Sequence, residues 1–321
     1  MSTYKEIAGT DIEVLSSDPA NPVEGQVWYN STSNVVKANF DNPGSWATGG
    51  NMNTAKYASA AAGIQTAALT FGGAGPPTQA LTESYDGTSW TAVNDLNTGR
   101  NQFAGAGTQT SALGFGGGNP QYAETESWNG TSWTEVNDLN TARRQLGGAG
   151  ANNTSALAFG GENPTTAVIS ATETWNGTNW TEVNDLNTAR TSLAAAGTQT
   201  AALAFGGTVP PSSALTESWN GTSWTEVNDL NTARNNLGGA GTQTAALAFG
   251  GQGPAPTLAV TESWNGTSWT EVNDLGTATY FIAGAGANNA SALAIGGYTT
   301  DATTGTEEFN AGPQTITFTD S

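Results

Sequence analysis

The chain of 321 residues has no cysteine and no histidine, and its 8 Lys+Arg face 27 Asp+Glu for a formal net charge of −19. Without cysteine it can build no disulfide framework, thiolate nucleophile or zinc ribbon. Without histidine it lacks a Ser-His-Asp triad, an imidazole metal site and the side chain that ordinarily titrates near neutrality. The shortage of positive charge makes nucleic acid and anionic membrane surfaces poor partners, because an acidic surface repels phosphates. No run approaches the roughly 18 apolar residues of a membrane-spanning helix, so no membrane insertion is expected. The opening residues MSTYKEIAGTDIEV show no cationic end followed by an apolar run, so no export signal is expected either.

What is present points to a folded β protein. The 42 glycines and 12 prolines fall short of the roughly 25–30% typical of low-complexity chains. Eleven tryptophans with only 11% charged residues are unlike an acidic disordered segment, which is poor in aromatics.

Self-comparison organises most of the chain. The string WNGTSWTEVNDLNTAR occupies Trp128–Arg143 and recurs unchanged at Trp219–Arg234, with close variants starting at Tyr85, Trp175 and Trp264. The second aromatic of each unit is Trp46, Trp90, Trp133, Trp180, Trp224 or Trp269, at spacings of 44, 43, 47, 44 and 45 residues. Paired glycines follow an apolar residue six times, after Phe71, Phe115, Phe159, Phe205, Phe249 and Ile295.

Each unit reads as four short strands. Within residues 234–272, Leu237–Gly241 is a strand of small residues and Ala245–Gly251 follows a TQT turn. Val260–Trp264 and Ser268–Val272 then flank Asn265-Gly266, a strong type I′ hairpin signal. About 45 residues per four-stranded unit is the period of a propeller blade. A two-residue hairpin at Asn129-Gly130 would oppose Trp128 to Thr131 and Glu126 to Trp133, whereas a four-residue turn would pair Trp128 with Trp133 directly. Either register keeps both indoles on one face, which predicts an indole layer between adjacent blades rather than a sugar-stacking surface.

The doubled glycine, the aromatic and the Trp a short hairpin later resemble the kelch repeat, over about residues 46–318. The resemblance implies an all-β, six-bladed β-propeller of four-stranded antiparallel blades. The aromatic-to-Trp spacing of five residues is shorter than usual for kelch, and the copies are unusually alike. The outer strand around Trp46 is expected to close the ring onto the C-terminal blade, with the tail Gln314–Thr319 adding to that edge.

Residues 1–40 do not fit the repeat and are read as a separate segment before a propeller at 41–321. They hold a hairpin, Val27–Asn30 and Val35–Asn39 around Ser31–Asn34. Gly25, Trp28, Tyr29, Asn30 and the Ser31–Lys37 stretch are similar to a short segment of tail and fibre proteins of bacterial viruses, and the Asn/Thr/Gly-rich repeats resemble those of marine phage virion proteins. That resemblance implies attachment to other virion proteins through Trp28, Tyr29 and Asn30. An N-terminal strand that only packs on the propeller is the alternative.

Candidate chemistry is repeated rather than singular. Glu126, Glu135 and Asp138 recur as Glu217, Glu226 and Asp229, whereas a catalytic acid pair would be unique and unequal in environment. The Asn-Asp-Leu-Asn-Thr segment lacks the spaced series of a calcium loop, so no metal and no cofactor is expected. One cation recurs per unit, as Lys56, Arg100, Arg143, Arg190 and Arg234, with Thr279 in the sixth slot. These residues read either as ion pairs locking the strand junctions or as a partial cationic ring at a mouth of the central channel. The Asn-Gly-Thr sequons read as turns.

The loops between paired glycines and Thr-Glu vary while their frame does not, which is where a repeated scaffold places binding. Candidate ligand contacts are Pro76, Pro77, Asn119, Tyr122, Asn163, Pro210, Pro211, Pro254 and Tyr298. The expectation is a non-enzymatic virion protein of a bacterial virus (tail, fibre or capsid surface), assembled in the host cytoplasm and present in multiple copies per particle. It would bind host-surface glycan, a receptor or a neighbouring virion protein. An intracellular kelch-type adaptor and, less favoured, a carbohydrate-active enzyme are the alternatives.

Overall fold

The computed structural model describes residues 12–318 except 21, 24, 76–77, 119–122 and 254. All its regular elements are β-strands, and no helix occurs among the described residues. The chain divides into two compact units, Met1–Gly44 with Ala311–Ser321, and Ser45–Asn310. The smaller unit therefore includes C-terminal residues that sequence alone assigns to the propeller.

In the smaller unit, β1 (Glu13–Leu15) runs parallel to β2 (Val27–Asn30), which pairs antiparallel with the start of β3 (Val35–Thr48). Asn30 Oδ1 accepts the N–H groups of Thr32 and Ser33 at 3.0 Å each, which sets the turn. Asp18 ties the hairpin together by accepting from Trp28 Nε1 at 3.1 Å, Asn30 Nδ2 at 2.8 Å and Lys37 Nζ at 2.6 Å. The Lys37 ammonium, the Asn30 amide and the Trp28 indole N–H pull the Asp18 carboxyl down to about 2.

The larger unit consists of repeated four-stranded antiparallel sheets in a propeller-like arrangement. The third sheet is representative: Gly147–Asn152, Ser155–Phe159, Thr172–Trp175 and Trp180–Val183, each paired to the next. The last sheet holds Ala283–Asn288, Ser291–Ile295 and the start of Thr306–Phe318, and its fourth place goes to the end of β3, where Gly49 N–H donates to Thr306 O at 2.8 Å. Residues after Asn310 continue the Thr306–Phe318 strand, so the described part of the tail prolongs the third strand of that sheet.

The hairpin register corrects the two-residue reading. Trp128 pairs with Trp133 and Glu126 with Glu135, around a four-residue loop. Asn129 Oδ1 captures the N–H groups of Thr131 and Ser132 at 2.9 Å each. This side-chain capture lengthens the turn that Asn-Gly alone would make.

Small residues on the first strands follow from crowding. These strands are neighbours from sheet to sheet, and the first strand of the last sheet lies beside that of the first. A Cβ on Gly284 would sit 2.3 Å from Gly239 O. The paired glycines have a similar cause: Gly250 has φ +64°, and a Cβ there would meet Thr279 O at 2.5 Å.

The core lies between sheets, as the indole layer predicts. Trp133 of the second sheet packs on Phe71 of the first at 4.7 Å, and the same pairing joins Trp180 to Phe115, Trp224 to Phe159 and Trp269 to Phe205. Each indole N–H donates to a buried threonine of the preceding sheet, Trp133 to Thr82 and Trp224 to Thr172, both at 3.1 Å. Trp46 does the same to Thr261 at 2.9 Å and Trp90 to Thr306 at 3.0 Å.

Candidate binding face

The recurrent cations and carboxylates are structural, and of the two readings of the cations the ion pairs that lock the strand junctions are found. The recurrent cations are buried: Arg143, Arg190, Arg234 and Lys56 are 0% exposed and Arg100 is 1% exposed. They form no cationic ring at a channel mouth, because each turns inward onto a buried glutamate. Arg143 meets Glu173 at 3.0 Å, Arg190 meets Glu217 at 3.1 Å and Arg100 meets Glu126 at 3.3 Å. The glutamates also accept backbone donors from the preceding junction, as Glu126 does from Asn97 at 2.8 Å. Burial lowers the pKa of Lys56 to about 8 and that of Arg234 to about 10, against the opposing pull of Glu83 and Glu262. The second carboxylate of each set, such as Glu135, is exposed, and the third caps a strand, as Asp138 does for Thr125 N–H at 3.1 Å.

Loops between second and third strands share a face with the junctions: Leu139 N–H reaches Ala123 O and Leu230 N–H reaches Ala214 O, both at 3.0 Å. On this face, one residue before each first strand adopts a left-handed backbone although none is glycine. These are Ala58, Gln102, Gln145, Ser192, Asn236 and Phe281, with φ between 51° and 56°. Their amides form a continuous hydrogen-bonded circuit. Gln102 donates to Ala58 O, Gln145 to Gln102 O, Ser192 to Gln145 O, Asn236 to Ser192 O, Phe281 to Asn236 O and Ala58 to Phe281 O, at 2.7–2.9 Å. Such a backbone costs about 1–2 kcal/mol per non-glycine residue, and the circuit offsets that strain. The side chains line a small opening of about 90 Å³ with Gln102, Gln145, Ser192 and Asn236 at its rim.

Beside this rim the repeat is broken. Tyr57, Tyr280, Phe281 and Tyr298 form an aromatic cluster, with Tyr57 5.0 Å from Tyr298, Tyr280 5.4 Å from Tyr298 and Tyr57 5.9 Å from Phe281. None of the equivalent positions in the second to fifth units is aromatic, and several are polar. Arg144 and Glu162 form an ion pair at 2.8 Å in the third sheet, and Asn235, Asn236 and Gln252 share amide hydrogen bonds at the fifth. All four rings are half-buried. Burial, followed by the neighbouring Tyr298 and Tyr57 phenols, raises the Tyr280 pKa. Ring faces next to amides and hydroxyls suit a neutral polar ligand with an apolar face, as a sugar has.

Of the residues selected from sequence, the structure brings Tyr298 into this cluster. Asn163 organises its own loop instead, accepting at Oδ1 from Thr165 N–H and Ala167 N–H at 3.0 Å. Pro210 and Pro211 are exposed, joined by a cis peptide bond, in the loop of the fourth sheet. Pro76, Pro77, Asn119, Tyr122 and Pro254 lie outside the described residues. Trp28 and Asn30 are buried in the smaller unit, and Tyr29 hydroxyl donates to Asn34 at 3.1 Å. Sequence reading passed over Tyr57, Tyr280 and Phe281, although aligning repeats column by column shows aromatics at those positions only in the first and last units. It also missed the Gln and Asn of the inner turns, which clamp sheet to sheet: Asn153 donates to Trp128 O at 2.9 Å and Gln65 to Phe309 O at 2.8 Å.

Scanned against protein-family models the chain finds no match, and compared with curated proteins it finds none.

Proposed function

We propose that the chain is a non-catalytic binding protein built on a six-bladed, kelch-like β-propeller, and that it serves as a surface component of a bacterial virus particle. Six repeats in the sequence and a six-membered backbone circuit support the blade count. The observation that carries the binding role is the aromatic cluster of Tyr57, Tyr280, Phe281 and Tyr298. It departs from near-identical repeats on the face of the variable loops. Its ligand is a host-surface glycan, held by ring stacking and by the amides of the rim. The virion assignment is supported by the resemblance of Gly25 and Trp28–Lys37 to tail and fibre segments. In this reading the N-terminal hairpin docks on other virion proteins.

The test has two parts. The full chain should saturably bind purified host-surface polysaccharide, and Tyr298→Ala should abolish that binding while leaving the fold intact. An antibody to the chain should label intact particles. A chain found only in host lysate, bound to a soluble protein, would overturn the virion reading in favour of an adaptor.

A further inference from the structure

Five of the six strand junctions bury a cation on a glutamate, Lys56 in the first and an arginine in the next four, and the last does not. In the fifth, the Arg234 guanidinium donates to the carbonyls of Ala248 at 3.1 Å, Gly250 at 3.2 Å and Val260, and meets Glu262 at 3.2 Å. Arg190 repeats the pattern on Gly206, Leu215 and Glu217. In the last junction Thr279 stands at the arginine position and Gly276 at the asparagine position. Glu307 occupies the glutamate position. It accepts from the N–H groups of Gly276 at 2.7 Å and Thr277 at 3.1 Å, and makes no ion pair with a described residue. The Thr279 hydroxyl turns back to Thr277 O at 3.0 Å.

Between these groups lies a small cleft of about 40 Å³, lined by Thr279, Ala294, Gly296, Gly305 and Glu307 among others. Ala294, Gly296, Gly305 and Glu307 are the repeat equivalents of Ala248, Gly250, Val260 and Glu262. The cleft is therefore lined by the four residues whose equivalents hold a guanidinium in the fifth junction. Carbonyl and carboxylate acceptors in this arrangement match the fork of donors that a guanidinium presents.

We infer that this cleft is a receptor for a guanidinium cation, supplied by a small guanidinium compound or by an arginine side chain of another protein. The site lies at the junction of the fifth and last sheets.

The experiment is isothermal titration of the full chain with methylguanidinium and with the capped peptide Gly-Arg-Gly, using tetramethylammonium at equal ionic strength as control. Methylguanidinium should bind saturably at one site and the control should not. Thr279→Arg supplies the missing side chain from within. Together with Glu307→Gln, it should weaken that binding by at least about tenfold, a change of about 1.4 kcal/mol. Equal binding of the peptide would point to a protein arginine as the source, and binding of methylguanidinium alone to a small compound. Absence of selective binding by the wild-type chain, or unchanged binding in both variants, would overturn the inference.

Discussion

The seam where the last repeat meets the first differs from the interfaces inside the repeat array, and the contrast separates scaffold from function. An internal interface sets phenylalanine against tryptophan, as Phe159 and Trp224 at 4.8 Å, and buries an arginine on a glutamate. At the seam, Ile295 replaces the phenylalanine opposite Trp90. Tyr85 stands where other repeats have tryptophan, and its hydroxyl donates to Glu308 at 2.5 Å. Lys56, 3.7 Å from Glu83, replaces arginine. The aromatic cluster lies at the same seam. Internal interfaces are copies of one packing solution, whereas the seam is where side chains depart from it, so the seam is the place to look for recognition.

The largest effect is expected inside the array. Arg234→Ala leaves Glu262 buried without its cation and should destabilise the chain by about 3–5 kcal/mol, read from urea unfolding. Trp224→Phe removes a buried N–H donor to Thr172 and part of an indole. It should cost about 1–3 kcal/mol. Trp90→Phe should cost less, because its partner in the last sheet is Ile295 rather than a phenylalanine. Equal losses at both positions would erase the distinction between seam and interior.

The seam should also carry a pH signature. Folded Lys56 titrates at about 8 against the ordinary 10.5, because burial disfavours its charge. Between those values the unfolded chain holds more protons than the folded one, so this group makes stability rise with pH. The slope is at most about 1.4 kcal/mol per pH unit. Lys56→Arg keeps its charge through the window, so the stability difference between wild type and variant should shift in favour of the wild type from pH 8 to 10. A flat difference would show that Lys56 is not desolvated. The smallest effect belongs to the backbone circuit. Ser192→Gly relieves a left-handed residue with φ 56° and should stabilise by about 1 kcal/mol, visible as a raised Tm.

Much of this architecture is legible in the repeat alone. Period, doubled glycines and Trp spacing locate every strand of the fifth sheet, because backbone crowding and pairing act on each copy alike. The Asn129 turn was less legible, since Asn-Gly favours a two-residue hairpin until the side chain of Asn129 takes two amides. The spacing of Arg143 marked a junction but not its burial, which depends on Glu173, a strand away in the next sheet. The proposed binding face was hardest to see. Tyr57 and Tyr280 are far apart in sequence, and a loop residue such as Asn163 attracts attention although its oxygen is already occupied.

The most direct test of the seam as the recognition site is a binding titration of host-surface polysaccharide against the full chain, Tyr298→Ala and Pro211→Ala, with thermal unfolding of each. The seam account predicts that Tyr298→Ala loses binding at nearly unchanged Tm while Pro211→Ala binds as the wild type. Undiminished binding by Tyr298→Ala, or loss confined to Pro211→Ala, would contradict it.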